Sequence, residues 1–291
     1  MIVLGDPRAV VRFKQNRGAV AGSALVLLLI GFALLGPLFA GHDPNLSDFA
    51  HGRAADGQLA GPSADHWLGV DQLFRDVFSR LAHGARVSLL VAFLATALSV
   101  AVGGAIGLAS GYTQGTRWQA LDTALMRFVD IGLSFPYLVL VLAIGAAVGE
   151  TTIVTLLSVL GFTSWFGTAR LIRSKTIQVR SLDFVLAARA LGQNTPRVIV
   201  KHLLPNVLGP LIVVASASIA NMIIAESVLS YLQVGLPPPR PTWGRMLYEA
   251  QPHYTLTPQL LVFPNVLILL AVLAFNLIRE SVRDTLDPQE D

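Results

Sequence analysis

The sequence predicts an all-α, polytopic membrane protein with six transmembrane helices. Composition is the first indication, because the 291 residues are 53% hydrophobic and only 13% charged, against about 45 to 50% and about 25% in a soluble domain. The second is a set of six apolar runs, each long enough or nearly so to cross a hydrocarbon core of about 30 Å. Runs of this length satisfy their backbone hydrogen bonds only as helices, which excludes barrel strands.

The first apolar run covers 19–40 and follows a polar, basic segment over 1–18. A basic start before an apolar stretch is also typical of a signal peptide. This run, however, exceeds the usual apolar core of about 7 to 15 residues and is as long as a spanning helix requires. We therefore interpret it as an uncleaved first transmembrane helix.

The other five runs lie in a predicted transmembrane core over 87–279. They cover residues 87–110, 123–148, 151–172, 207–232 and 260–278. Three glycines in the second span, Gly103, Gly104 and Gly107, predict a close helix contact. Pro136 in the third span removes a backbone donor, so we expect a kink or a break there.

The distribution of Lys and Arg predicts that both termini lie in the cytoplasm. The segments that would then be inside hold 14 of these residues, against 6 in the outside segments, and positive charge favours the inside. The inside segments include 1–18, a tail over 280–291 and the interval 181–205. Residues 41–86 and 233–259 would form external loops, the second of them too rich in proline for a continuous helix.

Within 41–86 we expect an amphipathic helix that lies on the membrane or on a neighbouring helix. Its apolar face would comprise Leu73, Phe74, Val77, Phe78 and Leu81. Two charge pairs at i, i+4 spacing, Asp71/Arg75 and Asp76/Arg80, fall elsewhere on this helix. Exposed pairs of this kind contribute only about 0.3 to 0.5 kcal/mol, so we interpret them as solubilising surface groups.

Residues 181–205 predict a short two-helix elbow with a basic flank. Ser181 can cap the first helix, and Asp183 suits the positive end of the helix dipole. The spacing of Phe184, Ala188 and Leu191 places them on one apolar face. Gly192 tolerates the left-handed conformation that ends a helix.

The second helix of this elbow would begin at Thr195-Pro196, with a capping hydroxyl and a proline at the first helical position. Its apolar residues are Val198, Ile199 and Leu203. Arg197 and Lys201 are basic and four residues apart. Pro205 is expected to close the helix.

The residues of the elbow also carry a family resemblance. Ala187-Ala188, Gly192 and Leu204-Pro205 stand where permeases of bacterial ABC importers have Glu-Ala-Ala, a glycine and Leu-Pro. The segment thus resembles the coupling-helix loop on which the ATPase docks, although Leu186 stands where the Glu is usual. The surrounding sequence resembles the C-type inner-membrane permease of oligopeptide and dipeptide importers.

Three further stretches extend the resemblance over 65–288: residues 66–90, residues 226–243 and the tail 274–288. It implies a type I ABC-importer permease fold that pairs with a second, similar permease. It also implies two cytoplasmic ATPase subunits, one on each elbow, and a solute-binding protein outside. ATP and Mg²⁺ would bind to the ATPase subunits and no cofactor to this chain. The cargo stays open, because the subfamily handles oligopeptides, dipeptides, glutathione and nickel complexes.

Two acidic residues lie within or near predicted spans. A charged side chain in the membrane costs free energy, so a residue of this kind often has a function. Asp130 and Glu226 are candidates for the wall of a translocation path. The alternative for Asp130 is a local pair with Arg127, three residues earlier. The alternative for Glu226 is a carboxylate that is hydrogen-bonded between helices.

Several classes of function lack their sequence signals. There is no Gly-x4-Gly-Lys-Ser/Thr phosphate loop and no hydrolase or metalloprotease motif, so we do not expect an enzyme. The six histidines show no paired ligand spacing, and we predict no metal site. Basic residues are scattered without aromatic interleaving, so the expected surroundings are lipid and not nucleic acid. A self-contained secondary carrier that uses Asp130 and Glu226 stays open, as does a membrane anchor without transport.

Overall fold

The computed structural model describes residues 7–53, 59–149 and 151–286, and in these ranges it is all-helical, as predicted. The α-helices are α1 Pro7–Gln15, α2 Arg17–Phe39, α3 Val77–Thr113, α4 Gln119–Ser134, α5 Tyr137–Val148, α6 Ile153–Arg180, α7 Asp183–Ala190, α8 Thr195–Val198, α9 Leu204–Tyr231, α10 Trp243–Ala250 and α11 Gln259–Leu286. The first six residues of the predicted N-terminal segment and the last five of the predicted tail lie outside the described residues.

Within the described residues, five helical runs are long and apolar enough to cross a membrane, and a bent pair supplies a sixth candidate. The five are α2, α3, α6, the continuous run Thr195–Tyr231, and α11. The bent pair is α4 and α5, which meet at an angle of 92°. Pro136 directly precedes α5, so the predicted break in the third span is confirmed.

Glycines let α3 approach α6 closely, and this is the most extensive helix pairing of the fold. A Cβ atom on Gly103 would lie 2.7 Å from the Thr168 Cβ, and one on Gly107 would lie 2.9 Å from the Ile172 Cβ. Both distances are too short for a side chain, so these positions admit only glycine without a shift of α6. Gly104 faces α9 instead.

The two ends of the described chain lie together at one end of the bundle. α2 packs against α11, and the Ser281 hydroxyl donates a 3.3 Å hydrogen bond to the Asn16 side chain. The spans alternate in direction. The 181–205 elbow therefore lies at this same end, and the long connections lie at the opposite end.

At that opposite end, residues 41–53, 59–76 and 232–258 form a polar cap over the spans. Helix α3 begins at Val77, inside the predicted amphipathic stretch and not at its start, because Asp71, Leu73 and Phe74 belong to a turn. The Asp71 carboxylate accepts from the backbone N–H of Leu73, and Phe74 has a positive φ of 59°. Asp76 caps α3 by accepting from the backbone N–H of Ser79 at 2.6 Å. The predicted amphipathic helix is therefore wrong in its first half.

The charge pairs of this stretch are buried, contrary to the predicted exposed surface groups. The Arg80 side chain is 1% exposed, and its guanidinium lies 3.3 Å from Asp71. Arg80 and Arg75 also reach the Glu249 carboxylate of α10, at 2.8 and 2.7 Å. Asp76 does not pair with Arg80. This network attaches α10 to the start of α3. Its partners are far apart in the sequence, so the spacing of nearby residues could not predict it.

Candidate functional site: a coupling segment and a membrane cavity

The 181–205 interval, called the coupling segment below, contains two short helices joined by a turn, as predicted. Their caps differ from the prediction. Leu182 is the N-cap residue of α7 and offers no side-chain bond, while the Ser181 hydroxyl donates to the Gln178 carbonyl at the end of α6. Asn194 caps α8 by accepting from the backbone N–H of Arg197. The Thr195 hydroxyl instead lies 2.9 Å from the Tyr112 hydroxyl.

The buried face of α7 is also different from the predicted one. Val185 and Ala188 are buried, whereas Phe184 is 44% exposed and Leu191 is 83% exposed. The predicted face over Phe184, Ala188 and Leu191 is therefore wrong. Ala188 is its one buried member, and Val185, three residues before Ala188, completes the packed side.

Gly192 ends the first helix in the left-handed region, with a φ of 81°, as predicted. A side chain there would be strained by about 1 to 2 kcal/mol even though an added Cβ would meet nothing within 4 Å. A larger residue at position 192 therefore has room for its side chain, but it cannot adopt this backbone angle without strain.

Pro205 does not close the second helix, contrary to the prediction. Residues 199–203 form one π-helical turn, and α9 begins at Leu204 with Pro205 in its first turn. A proline is tolerated at this position because the first N–H groups of a helix have no partner. The coupling segment consequently runs without a break into a membrane-spanning helix.

Buried apolar contacts hold the coupling segment against the ends of α3 and α6. Its Val185, Val198 and Leu203 form a cluster with Val179 of α6 and Val207 of α9. As predicted, Val198 and Leu203 face inward. These five buried residues, one each from α6, α7, α8, the π-helical turn and α9, make this segment an extension of the bundle and not a loose loop.

Polar contacts reinforce the same junction. The Arg180 guanidinium donates to the backbone carbonyls of Tyr112 and Gln114, both at 2.6 Å. The Arg189 guanidinium lies over the Tyr112 ring, 5.4 Å from its centroid, within the range of a cation–π contact.

A buried carboxylate ties three helices together just beneath the junction. Asp122 of α4 accepts two hydrogen bonds from the Arg173 guanidinium of α6, at 2.6 and 2.8 Å. It also accepts from the Ser110 hydroxyl of α3. Bidentate arginine pairs fix orientation as well as distance, so α3, α4 and α6 move together at this end.

The outer side of the coupling segment is partly apolar. Leu186 is 48% exposed and Val200 is 63% exposed, beside the exposed Phe184 and Leu191. The other predicted docking residues outside the packed face, Asp183, Ala187, Arg197, Lys201 and Pro205, are exposed as well. Large exposed apolar groups on an otherwise well-packed element are typical of a protein–protein contact.

A cavity of about 420 Å³ opens at the break between α4 and α5. Its lining comprises Leu133, Tyr137, Leu138, Thr163, Ser164, Phe166, Gly167, Ser218, Asn221, Met222, Ile224 and Ala225. The Ser164 hydroxyl donates to the Tyr137 hydroxyl at 3.0 Å. Irregular backbone within a membrane is tolerated where it lines a cavity, which agrees with the position of the break.

The two acidic candidates lie elsewhere. Asp130 pairs with Arg170 of α6, both side chains about half exposed, so the predicted local pair with Arg127 is wrong. Glu226 is fully buried and accepts a 2.7 Å hydrogen bond from the Ser230 hydroxyl within α9, while the hydroxyls of Ser88 in α3 and Thr242 also face its carboxylate, which agrees with the predicted contact between helices. Neither belongs to the cavity lining, and their place in a translocation path stays a prediction.

The polar residues of the cavity lining could not be predicted from local sequence. Ser164 and Asn221 are single polar residues in apolar runs, and nothing local distinguishes them from packing residues. The available signal was Pro136, because a broken span marks the depth at which a polar cavity forms. Neighbouring helices at that depth were the place to look.

Together these features define a class: a multi-pass membrane permease, with a largely apolar cavity at a broken span that carries a few hydroxyl and amide groups, and a packed surface segment suited to a partner. Residues 103–290 match the family of binding-protein-dependent transport system inner membrane components. Residues 8–62 match the N-terminal transmembrane domain of oligopeptide transport permease C. The chain belongs to the family of binding-protein-dependent transport system inner membrane components.

Curated relatives align over nearly the whole chain. A dipeptide transport system permease protein of Alkalihalophilus pseudofirmus is 36% identical, over 96% of this chain and 88% of the relative. A glutathione transport system permease protein of Pectobacterium atrosepticum is 35% identical, over 96% and 89%. An oligopeptide transport system permease protein of Bacillus subtilis is 32% identical, over 97% and 88%.

Proposed function

We propose that this chain is one membrane-spanning subunit of an ATP-driven importer that carries peptides across the cytoplasmic membrane. The observation that carries the proposal is the coupling segment. Its inner side is fixed to α3, α6 and α9, and its outer side presents Leu186 and other exposed apolar groups to a partner. Relatives named for dipeptide and oligopeptide transport support the choice of cargo.

In this proposal the chain is not itself catalytic. It pairs with a second permease, and two ATPase subunits that bind ATP and Mg²⁺ dock on the two coupling segments. A solute-binding protein delivers the cargo to the polar cap on the outside. Both termini and the coupling segment lie in the cytoplasm, which the excess of Lys and Arg at that end supports.

The coupling segment would transmit motion from the ATPase to the cavity. It continues into the helical run Thr195–Tyr231, which carries Asn221 and Met222 of the cavity lining. ATP must favour one of two states of the spans. A coupling segment that stays packed on α3 and α6 converts ATPase closure into a displacement of these helices.

The cavity chemistry suits a peptide backbone. Tyr137, Ser164 and Asn221 offer hydroxyl and amide groups that can donate and accept hydrogen bonds. No charged residue is among the described residues of its lining, so it would not select for the charge of a cargo side chain. Glutathione is a second candidate because one relative is named for its transport, and it offers the same amide groups.

The test is uptake of labelled dipeptide, oligopeptide and glutathione into proteoliposomes that contain the complete complex purified with this chain. Gly192→Trp should lose the ATPase subunit and lower uptake at least about tenfold, through backbone strain and bulk at the docking surface. Gly192→Asn should retain uptake, because Asn tolerates a positive φ. Gly31→Trp is the matched control, since an added Cβ there also meets nothing within 4 Å.

Normal uptake by Gly192→Trp would overturn the docking role of this segment. Flux through liposomes that contain this chain alone, driven by an ion gradient and indifferent to ATP, would instead establish a self-contained carrier. Uptake of glutathione without uptake of either peptide would keep the importer and replace its cargo.

A further inference from the structure

Three side chains of the polar cap come together although the sequence separates them. His42, Asp48 and His66 each place one possible ligand atom within 4.8 Å of the others. The rings of His42 and His66 are 4.7 Å apart between centroids. We infer that this cluster, called the two-histidine site below, binds a divalent transition-metal ion of the zinc type.

His66 is the strongest member because its environment leaves one nitrogen without a partner. The ring is fully buried, and its Nδ1 lies 2.9 Å from an Asp76 carboxylate oxygen. A carboxylate only accepts, so Nδ1 carries the proton. In a neutral ring Nε2 then presents a lone pair, and no group of the described residues hydrogen-bonds this atom.

The Asp76–His66 pair has the geometry of a metal ligand and its supporting carboxylate. A histidine that binds a metal commonly donates its other N–H to a carboxylate, which fixes the ring and raises its basicity. His42 is held in a similar way, since its Nδ1 lies 3.0 Å from the Ala40 carbonyl oxygen. Both rings therefore have one nitrogen occupied by an orienting contact and one available.

The carboxylate completes the set at a suitable distance. Asp48 Oδ2 lies 3.5 Å from His66 Nε2. Two ligands at about 2.0 to 2.2 Å from a tetrahedral zinc are separated by roughly 3.4 Å. A lone pair that faces a carboxylate at this distance without a proton or cation between them is unfavourable, and a metal ion removes that repulsion.

The set of two imidazoles and one carboxylate matches zinc better than magnesium or calcium, which prefer oxygen ligands alone. A pocket of about 230 Å³ adjoins the site and is lined by His42, Asp76 and Trp67 among others. It leaves room for a water molecule in the fourth position. The bound ion would link the segment after α2, which carries His42 and Asp48, to His66. The His66 ring in turn contacts Asp76 at the start of α3.

The experiment uses the full chain, purified with its partners in lipid nanodiscs and without a polyhistidine tag. Zn²⁺ itself is the probe, with binding measured by calorimetry and by metal content after equilibration in a zinc buffer. We expect one tightly bound zinc per chain. His42→Gln and Asp48→Asn should each weaken binding by more than about tenfold, and Asp76→Asn by about 10- to 100-fold.

Asp76→Asn retains an acceptor for the N-terminus of α3, so it separates metal affinity from folding. His253→Gln is the control, because His253 lies in the cap but outside the cluster. Co²⁺ should also quench the fluorescence of Trp67. Absence of retained zinc in the wild type, or unchanged affinity in His42→Gln and Asp48→Asn, would overturn the inference and leave His66 as an imidazolium between Asp48 and Asp76.

Discussion

Replacing Glu249 with alanine should loosen the polar cap more than any change at an exposed carboxylate. Glu249 accepts hydrogen bonds from Arg75 and Arg80 at 2.7 and 2.8 Å, and from Arg245 at 3.1 Å. Without it, Asp71 is the one carboxylate left beside these guanidinium groups in the described network. Arg80 is 1% exposed and could not recover its hydration without local opening.

The expected size follows from what the alanine leaves behind. Removal of one partner from a buried ion pair typically costs about 3 to 5 kcal/mol, because the other charge stays buried without compensation. That range corresponds to a change of roughly 100- to 4,000-fold in the equilibrium for local opening. This free energy is the cost of leaving the buried arginines with Asp71 as their one described carboxylate, and it is not the net contribution of the ion pairs to stability.

Hydrogen exchange of the complex in nanodiscs gives the measurement. The amides of α10 and of the first turns of α3 should exchange faster in Glu249→Ala by that factor, while the α3–α6 contact should be unaffected. Glu249→Gln should increase the exchange rates less than Glu249→Ala, because glutamine retains an acceptor of similar shape. Glu280→Ala removes an exposed carboxylate from α11 and serves as the charge control. Exchange within about fivefold of wild type in Glu249→Ala would refute the reasoning.

Three further predictions concern the other end of the bundle. Asp122→Ala should lower the free energy of unfolding by about 2 kcal/mol, because it leaves Arg173 without its carboxylate, and a fall in Tm checks this. Gly107→Leu should lower the free energy of unfolding by about 1 to 3 kcal/mol, because the new side chain pushes α3 away from α6. Gly31→Leu is the control, since an added Cβ at Gly31 meets nothing within 4 Å. Leu186→Glu should change Tm negligibly but reduce recovery of the ATPase subunit. Full recovery would show that the position accepts either residue.

The sequence predicted those parts of the fold that depend on local chemistry. Long apolar runs defined the spans, Pro136 defined the break between α4 and α5, and Gly192 defined the turn of the coupling segment. Each rests on a property that a residue carries into any context: hydrophobicity, a missing donor, or tolerance of a positive φ.

What the sequence could not predict depends on partners distant in the chain. Asp71, Arg75 and Arg80 had the spacing of exposed helical pairs, yet Glu249, more than 160 residues later, makes them a buried network. His42 and His66 had no ligand spacing, yet the cap brings their rings together. Local spacing specifies which residues share a helical face, but it cannot specify which distant segment covers that face.

The helical run Thr195–Tyr231 connects these observations to transport. At about 1.5 Å per residue its 37 residues span about 55 Å, from the coupling segment past the cavity lining at Asn221 to the polar cap. The π-helical turn at 199–203 lies within this run, after α8 and directly before α9. A displacement of the coupling segment can therefore either deform the π-helical turn or be transmitted along the helical run. The buried contacts of Val198 before that turn and Val207 after it favour the second outcome.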